Sequence, residues 1–263
     1  MFGVLKRWRR KRLIGQPFPS EWLKILRQRV PYYALLTSKE QKELQHDIQI
    51  FLSEKHFEGC GGLEITDEIR VTIAAQACIL LLNRRHDYYS NLQSILVYPT
   101  AYIAQDRSVD ASGIVSEGPQ ARLGEAWLRG AVILSWDDVQ RDAKDFQDGR
   151  NVTLHEFAHQ LDQQDGVFDG APLLDKPSRY SSWARILRKE YEALRSSSER
   201  GESTFIDEYG ATNPAEFFAV ITEAFFENPK GLEQHHPELY EELKQFFHQD
   251  TLARLETAQK RAP

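Results

Sequence analysis

The sequence predicts an α+β domain, mainly helical, with a small β-sheet. Three observations carry this. Apolar residues recur at helical spacing through most of the 263 residues. Only two short β-branched runs stand out, "SILVYP" at 94–99 and "GAVILSW" at 130–136. Helix-starting residues precede most of the periodic segments. A chain with 41% hydrophobic and 27% charged residues is globular and long enough to bury a sizeable core.

In chain order, residues 20–55 read as helical, with a start at Ser38 and an apolar stripe of Leu44, Ile48, Phe51 and Leu52. "EGCGGLE" at 58–64 is a Gly-rich turn. The most apolar stretch, 69–83, is expected as a buried helix beginning near Thr66 or Asp67, both good N-cap types. Residues 104–125 read as a long loop or twisted hairpin. A helix is expected from Asp137 or Asp138, then a turn at Asp148–Gly149 and a helix from about Asn151 to Gln164 that stops at Asp165–Gly166. Trp183, Ile186, Leu187, Tyr191 and Leu194 share one face of a helix over 181–194. Asn213 caps a helix with Pro214 at its first position and Asn228–Pro229 at its end, and a last helix starts at Pro237.

These segments give one domain over 20–263: helices at 20–83, strands and the 151–164 helix within 94–165, and further helices at 178–260. Residues 1–19 read as a flexible basic tail, with six Lys or Arg among the first twelve residues. No apolar run follows that basic start, so it is not expected to be an export signal. The apolar stretch at 69–83 is too short for the roughly 20 residues of a membrane span. The net charge of −6 argues against broad nucleic-acid binding. Cys60 and Cys78 form no C-x-x-C pair, which fits a reducing, cytoplasmic setting.

"LHEFAHQLD", residues 154–162, carries the chemistry. Residues four apart share a helix face, so His155 and His159 project together and can ligate one cation. Glu156 lies one position round, where it reaches a metal-bound water. This is zincin logic: two His ligands, a third ligand from elsewhere, and a water that the zinc acidifies and Glu156 deprotonates. The plainer reading, two histidines on an amphipathic helix, needs no metal.

The third ligand has several candidates. Asp165 sits six residues after the second His, as in metzincins, but Asp162 occupies the place of the required Gly. The only methionine is Met1, so no Met-turn exists. Asp162 shares the face of the histidines and suits an acceptor for a ligand's other N–H. Glu216 lies in "NPAEFFAVITEAFF", where Asn213 and Glu216 resemble a capping box; on that ground alone Glu216 is a helix cap. Glu223 is seven residues further along the same face and is a candidate ligand or acceptor.

"HEFAHQLDQQDG" and "YGATNPAEFFAVITEAFF", together with "GLEITDEIRVTIAAQACILLLN", "ILVYP" and "VILSW", resemble the Mlc titration factor A peptidases, bacterial cytosolic zinc-dependent enzymes. The resemblance covers most of the chain after about residue 20. It implies a gluzincin-type, zincin-like metallopeptidase domain holding one Zn2+ per chain on His155, His159 and Glu216. It makes Glu156 the catalytic base and Tyr209 the active-site tyrosine, where a phenol can donate to the oxyanion. The spacing of Tyr209 and Glu216 is similar to that in the anthrax lethal factor catalytic domain. The implied partner is a peptide or protein substrate, cleaved in aminopeptidase-like fashion. The alternative is a regulatory zinc protein that sequesters a transcriptional repressor. The basic start departs from the shorter family starts. "GAVILSW" is the strand expected to hold an extended substrate by β-addition.

Overall fold

In the computed structural model, which describes residues 2–100, 108–109, 115–116 and 130–261, the apolar stretch after Thr66 folds into a helix at the centre of the molecule. In chain order the helices are α1 (Phe2–Ile14), α2 (Ser20–Arg29), α3 (Ser38–Glu54), α4 (Asp67–Ile79), α5 (Trp136–Lys144), α6 (Val152–Asp162), α7 (Tyr180–Glu199), α8 (Pro214–Glu227), α9 (Pro229–His235), α10 (Pro237–Phe247) and α11 (Thr251–Arg261). The strands are β1 (His56–Gly59), β2 (Ser94–Tyr98), β3 (Ser108–Val109), β4 (Val115–Ser116) and β5 (Ala131–Ser135). The mainly helical α+β class is the one the sequence predicts.

Caps set most helix starts. The Thr66 hydroxyl accepts from the Ile69 N–H, and α4 then buries every residue from Val71 to Ile79. Such a helix, apolar all round, has to lie inside other layers. Thr37 and Glu40 close a capping box at α3, one residue before the expected Ser38. Ser135 caps α5, so that helix starts at Trp136 rather than Asp137.

The three longer strands form one parallel sheet in the order β1–β2–β5, with His56 opposite Ser94 and Ser94 opposite Ala131. Parallel neighbours need a long crossover, and α4 supplies it between β1 and β2. Among the described residues β5 is an edge strand. β1 is not foreseen by the sequence, because "HFEG" is four residues long with no apolar alternation. The loop or hairpin expected over 104–125 lies outside the described residues, apart from the antiparallel pair β3–β4.

Three further expectations are corrected. The helix from Pro237 is not the last, since α11 follows it. Asn228–Pro229 ends α8 but also starts α9, with the Asn228 side chain accepting from Gly231 N–H. Residues 2–14, read as part of a flexible tail, form a helix whose Arg10 guanidinium bridges Glu54 at 2.7 Å and Asp87 at 2.5 Å. No described helix is long and apolar enough to cross a membrane.

The core lies between the sheet, α4 and the α6–α8 pair. Leu154, Phe157, Ala158 and Leu161 make the inward face of α6, and the Phe157 ring meets Phe51 and Tyr89 at 5.8 and 4.9 Å between centroids. That packing fixes the rotation of α6 about its axis. It therefore also fixes which way the opposite face, with His155, Glu156 and His159, is turned.

Candidate metal centre

Helix α6 begins because Asn151 stands before it. The Asn151 Oδ1 accepts from Leu154 N–H at 2.9 Å, satisfying one of the orphan donors of the first turn. The helix runs to Asp162, tightens into a 3-10 turn over Gln163–Asp165, and stops at Gly166 in the left-handed region (φ 90°). The side turned away from the core holds His159, whose side chain is fully buried, and His155, which is 14% exposed.

Helix α8 brings Glu216 to them. Asn213 accepts from the Glu216 N–H at 3.0 Å, as the sequence suggests for a cap. The Glu216 carboxylate turns instead to the two imidazoles. Its Oε2 lies 3.0 Å from His155 Nε2 and 3.3 Å from His159 Nε2, and the two Nε2 atoms are 3.2 Å apart. Zinc ligands at about 2.0–2.1 Å in a tetrahedral arrangement stand about 3.3–3.4 Å from each other. Edges of 3.0–3.3 Å therefore match one face of such a tetrahedron, and the donor set of two imidazoles and a carboxylate suits zinc. Among the described residues this is the one group of three His, Cys, Asp or Glu side chains whose ligand atoms converge in this way.

The electrostatics follow from the crowding. Burial works against the charge on Glu216, but the hydrogen bonds with His155 and His159 hold its carboxyl down at about 2. Burial likewise opposes a proton on His155, yet the Glu216 and Glu223 carboxylates lift it to about 10. His159 is pushed down by its burial and by the neighbouring His155 charge. A cation at the centre of the three atoms would satisfy all of them at once.

Glu223, two turns along α8, reaches the far side of His155. Its Oε1 accepts from His155 Nδ1–H at 2.7 Å, and its Oε2 accepts from Asn151 N–H at 2.6 Å. An acceptor there fixes the tautomer that points Nε2 at the metal. Asp162 reaches a different place. It accepts from Gly170 N–H at 3.0 Å. Gly170 has φ +74°, and a Cβ on it would meet the Pro214 carbonyl oxygen at 2.4 Å, so the loop lies directly on the first turn of α8. Asp162 thereby ties the end of α6 to the start of the helix that carries Glu216. Burial raises its carboxyl to about 7.

Glu156 is buried and lines a cleft of about 370 Å³ together with His155, Tyr209 and Glu223. Tyr209 stands on a 3-10 turn, Glu208–Ala211, capped by Asp207, whose carboxylate accepts from Tyr209 N–H at 2.9 Å. The Tyr209 ring is 39% exposed and its centroid is 6.0 Å from that of His155. Two polar supports escape the sequence reading. Arg150 clamps Asp207 at 2.7 Å, and Asn151 also donates to the buried Glu227 at 2.9 Å. Glu227 is four residues after Glu223 and so lies on the same face of α8, the one sequence signal that could have marked it.

Comparison with known proteins places the chain in a family. The model of the glucose-regulated metallo-peptidase M90 family matches residues 5–248. An uncharacterized protein of Synechocystis sp. is 44% identical over 241 residues, 91% of this chain and 88% of its own. The Mlc titration factor A of Serratia proteamaculans is 32% identical over 234 residues, 88% of each chain. That of Klebsiella pneumoniae subsp. pneumoniae is 34% identical over 229 residues, 86% of this chain and 85% of its own.

Proposed function

We propose, from the premise that this chain belongs to the glucose-regulated metallo-peptidase family M90, the family of Mlc titration factor A, that it hydrolyses peptide bonds with one zinc ion and Glu156 as general base. Membership makes it a metallopeptidase. The observation that carries the finer reading is the triangle of His155 Nε2, His159 Nε2 and Glu216 Oε2, with edges of 3.0–3.3 Å.

In this reading His155, His159 and Glu216 hold the zinc, and Glu223 orients His155. When bound, zinc supplies Lewis acidity to water and to the scissile carbonyl. Glu156 takes a proton from the attacking water as its oxygen bonds to the carbonyl carbon. The same carboxyl then gives that proton to the amine nitrogen as the C–N bond breaks. The Tyr209 hydroxyl donates to the oxyanion of the tetrahedral stage. Strand β5, at the sheet edge among the described residues, offers backbone groups for an extended peptide. Trimming from the amino end is the mode the resemblance favours.

The names of the Serratia and Klebsiella relatives suggest a second reading, in which the chain acts as a titration factor; the resemblance makes the partner it sequesters a transcriptional repressor. The two separate on zinc content and peptide turnover, measured together. Glu156→Gln is expected to keep zinc and lose turnover, and Glu216→Ala to lose zinc. Tyr209→Phe is expected to keep both zinc and substrate binding while the chemical step slows about a hundredfold or more. Zinc retained by Glu216→Ala as tightly as by wild type would remove Glu216 from the ligand set. Stoichiometric zinc with no turnover on any short peptide would favour the binding protein.

A further inference from the structure

Helix α1 bears no relation to the metal centre, and it is unlike the rest of the molecule. Residues 1–12 carry Lys6, Arg7, Arg9, Arg10, Lys11 and Arg12 with no acidic residue. The whole chain has net charge −6, so the remainder stands at −12. The same helix exposes three large apolar side chains: Val4 is 74%, Leu5 62% and Trp8 63% accessible.

The helix has two faces. On the inner one, Lys6 pairs with Asp87 at 3.1 Å, Arg10 pairs with Glu54 and Asp87, and the Arg10 guanidinium lies 4.4 Å from the Tyr88 ring centroid. Leu13 is half-buried one turn beyond Arg10. These contacts clamp α1 to α3 and to the loop after α4. On the outer face Val4, Trp8 and Lys11 stand at i, i+4 and i+7, and Leu5, Trp8 and Arg12 at i, i+3 and i+7. Arg12 leans over the Trp8 ring at 5.9 Å, and Arg7 flanks the strip with no ion pair among the described residues. The clamp thus uses Lys6, Arg10 and Arg9, which donates to the Ser53 carbonyl at 3.2 Å, and presents outward an apolar strip edged by Arg7, Lys11 and Arg12.

We propose that the outer face of α1 docks this protein on an anionic lipid bilayer, lying in the headgroup plane. Such a surface offers a place to each kind of side chain: Trp and aliphatic groups enter the acyl boundary while the Lys and Arg beside them meet lipid phosphates. A second copy of the chain is a poor occupant, since a symmetric pairing sets the cations against each other. Duplex nucleic acid is a poor one too, because its phosphates would meet the cations but leave the apolar strip uncovered. No insertion beyond the interface is involved, and the docking is independent of the peptidase reading.

Co-sedimentation of the full chain with phosphatidylcholine vesicles, with and without phosphatidylglycerol, tests this. Partitioning is expected only into the anionic vesicles and is expected to weaken with added salt. Each basic residue at such a surface is worth about fivefold in partitioning. The triple variant Arg7→Glu, Lys11→Glu, Arg12→Glu should therefore bind at least about a hundredfold more weakly, and Trp8→Ala about tenfold, with thermal transitions unchanged. Brominated lipid should quench part of the tryptophan emission of wild type and lose that part in Trp8→Phe. The proposal is overturned by equal partitioning into uncharged vesicles, by no partitioning at low salt, or by binding that both variants retain. It is equally overturned by duplex DNA binding of the same strength that Trp8→Ala leaves intact, or by a dimer that Trp8→Ala dissociates.

Discussion

Glu227 carries a pH dependence that the metal centre does not need. It is 3% exposed, one carboxylate oxygen accepts from Asn151, and the other has no hydrogen-bond partner. Burial first, and the nearby Asp148, Asp142 and Glu223 carboxylates with it, raises the group from 4.5 to about 9 against the Asn151 hydrogen bond. Between those two values the folded chain holds a proton that the unfolded chain has released. The stabilisation is complete below about pH 4.5, falls as pH rises, and is gone above about pH 9. Glu227→Gln should remove this slope, matching wild type at pH 4 and exceeding it by as much as ~3 kcal/mol at pH 7 in urea unfolding. A variant with the wild-type slope would show that Glu227 is ionised in the folded state. Glu223 acts at the same scale on His155, the proposed ligand. Without its oxygen on His155 Nδ1, Glu223→Ala should bind zinc about tenfold to a hundredfold more weakly, read by competition with a chelator.

At the scale of elements, the α6–α8 pair brings His155, His159 and Glu216 together, and its geometry rests on two joints. Asn151 joins the start of α6 to α8 by hydrogen bonds to Glu223 and Glu227, and Asp162 joins the end of α6 to the Gly170 loop. Gly170→Ala adds a Cβ 2.4 Å from the Pro214 carbonyl at a positive φ. It should destabilise by about 1–3 kcal/mol and weaken zinc binding by displacing the first turn that carries Glu216. If chelator competition shows full zinc affinity at reduced stability, the first turn of α8 tolerates that displacement. Phe157→Ala opens a cavity under α6 and should cost about 3–5 kcal/mol in denaturant unfolding. Asp162→Asn keeps an acceptor for Gly170 N–H, so it is expected to perturb zinc binding less than Asp162→Ala.

For the whole molecule, α1 is joined to the rest through the side-chain contacts of Lys6, Arg9 and Arg10 with α3 and the loop after α4. Deleting residues 1–12 removes the Arg10 pairs with Glu54 and Asp87, which are half-buried and exposed respectively, and is expected to cost about 1 kcal/mol or less. Peptide hydrolysis should be unchanged. A large fall in turnover by the truncated chain would make α1 part of the enzyme. Zinc acts in the opposite direction: a cation bound by the folded state alone stabilises it by mass action, so chelation should lower the melting temperature of wild type and leave Glu216→Ala unaffected.

Local chemistry in the sequence determined much of this protein. Asn151, Thr66 and Asn213 cap helices because their side chains satisfy nearby backbone N–H groups, and that can be read from a few residues. The i, i+4 spacing of His155 and His159 likewise puts two imidazoles on one helix face. Glu216 was different. Its neighbours suggested a cap, and the cap exists through its N–H; only the packing of α8 on α6 decided that the carboxylate meets the imidazoles. The supports at Glu223, Glu227 and Gly170, like the short strand β1, depend on partners far away along the chain. Helical periodicity puts Glu223 and Glu227 on one face of α8 but does not record what they meet, because each support is made by two elements meeting and not by either one alone.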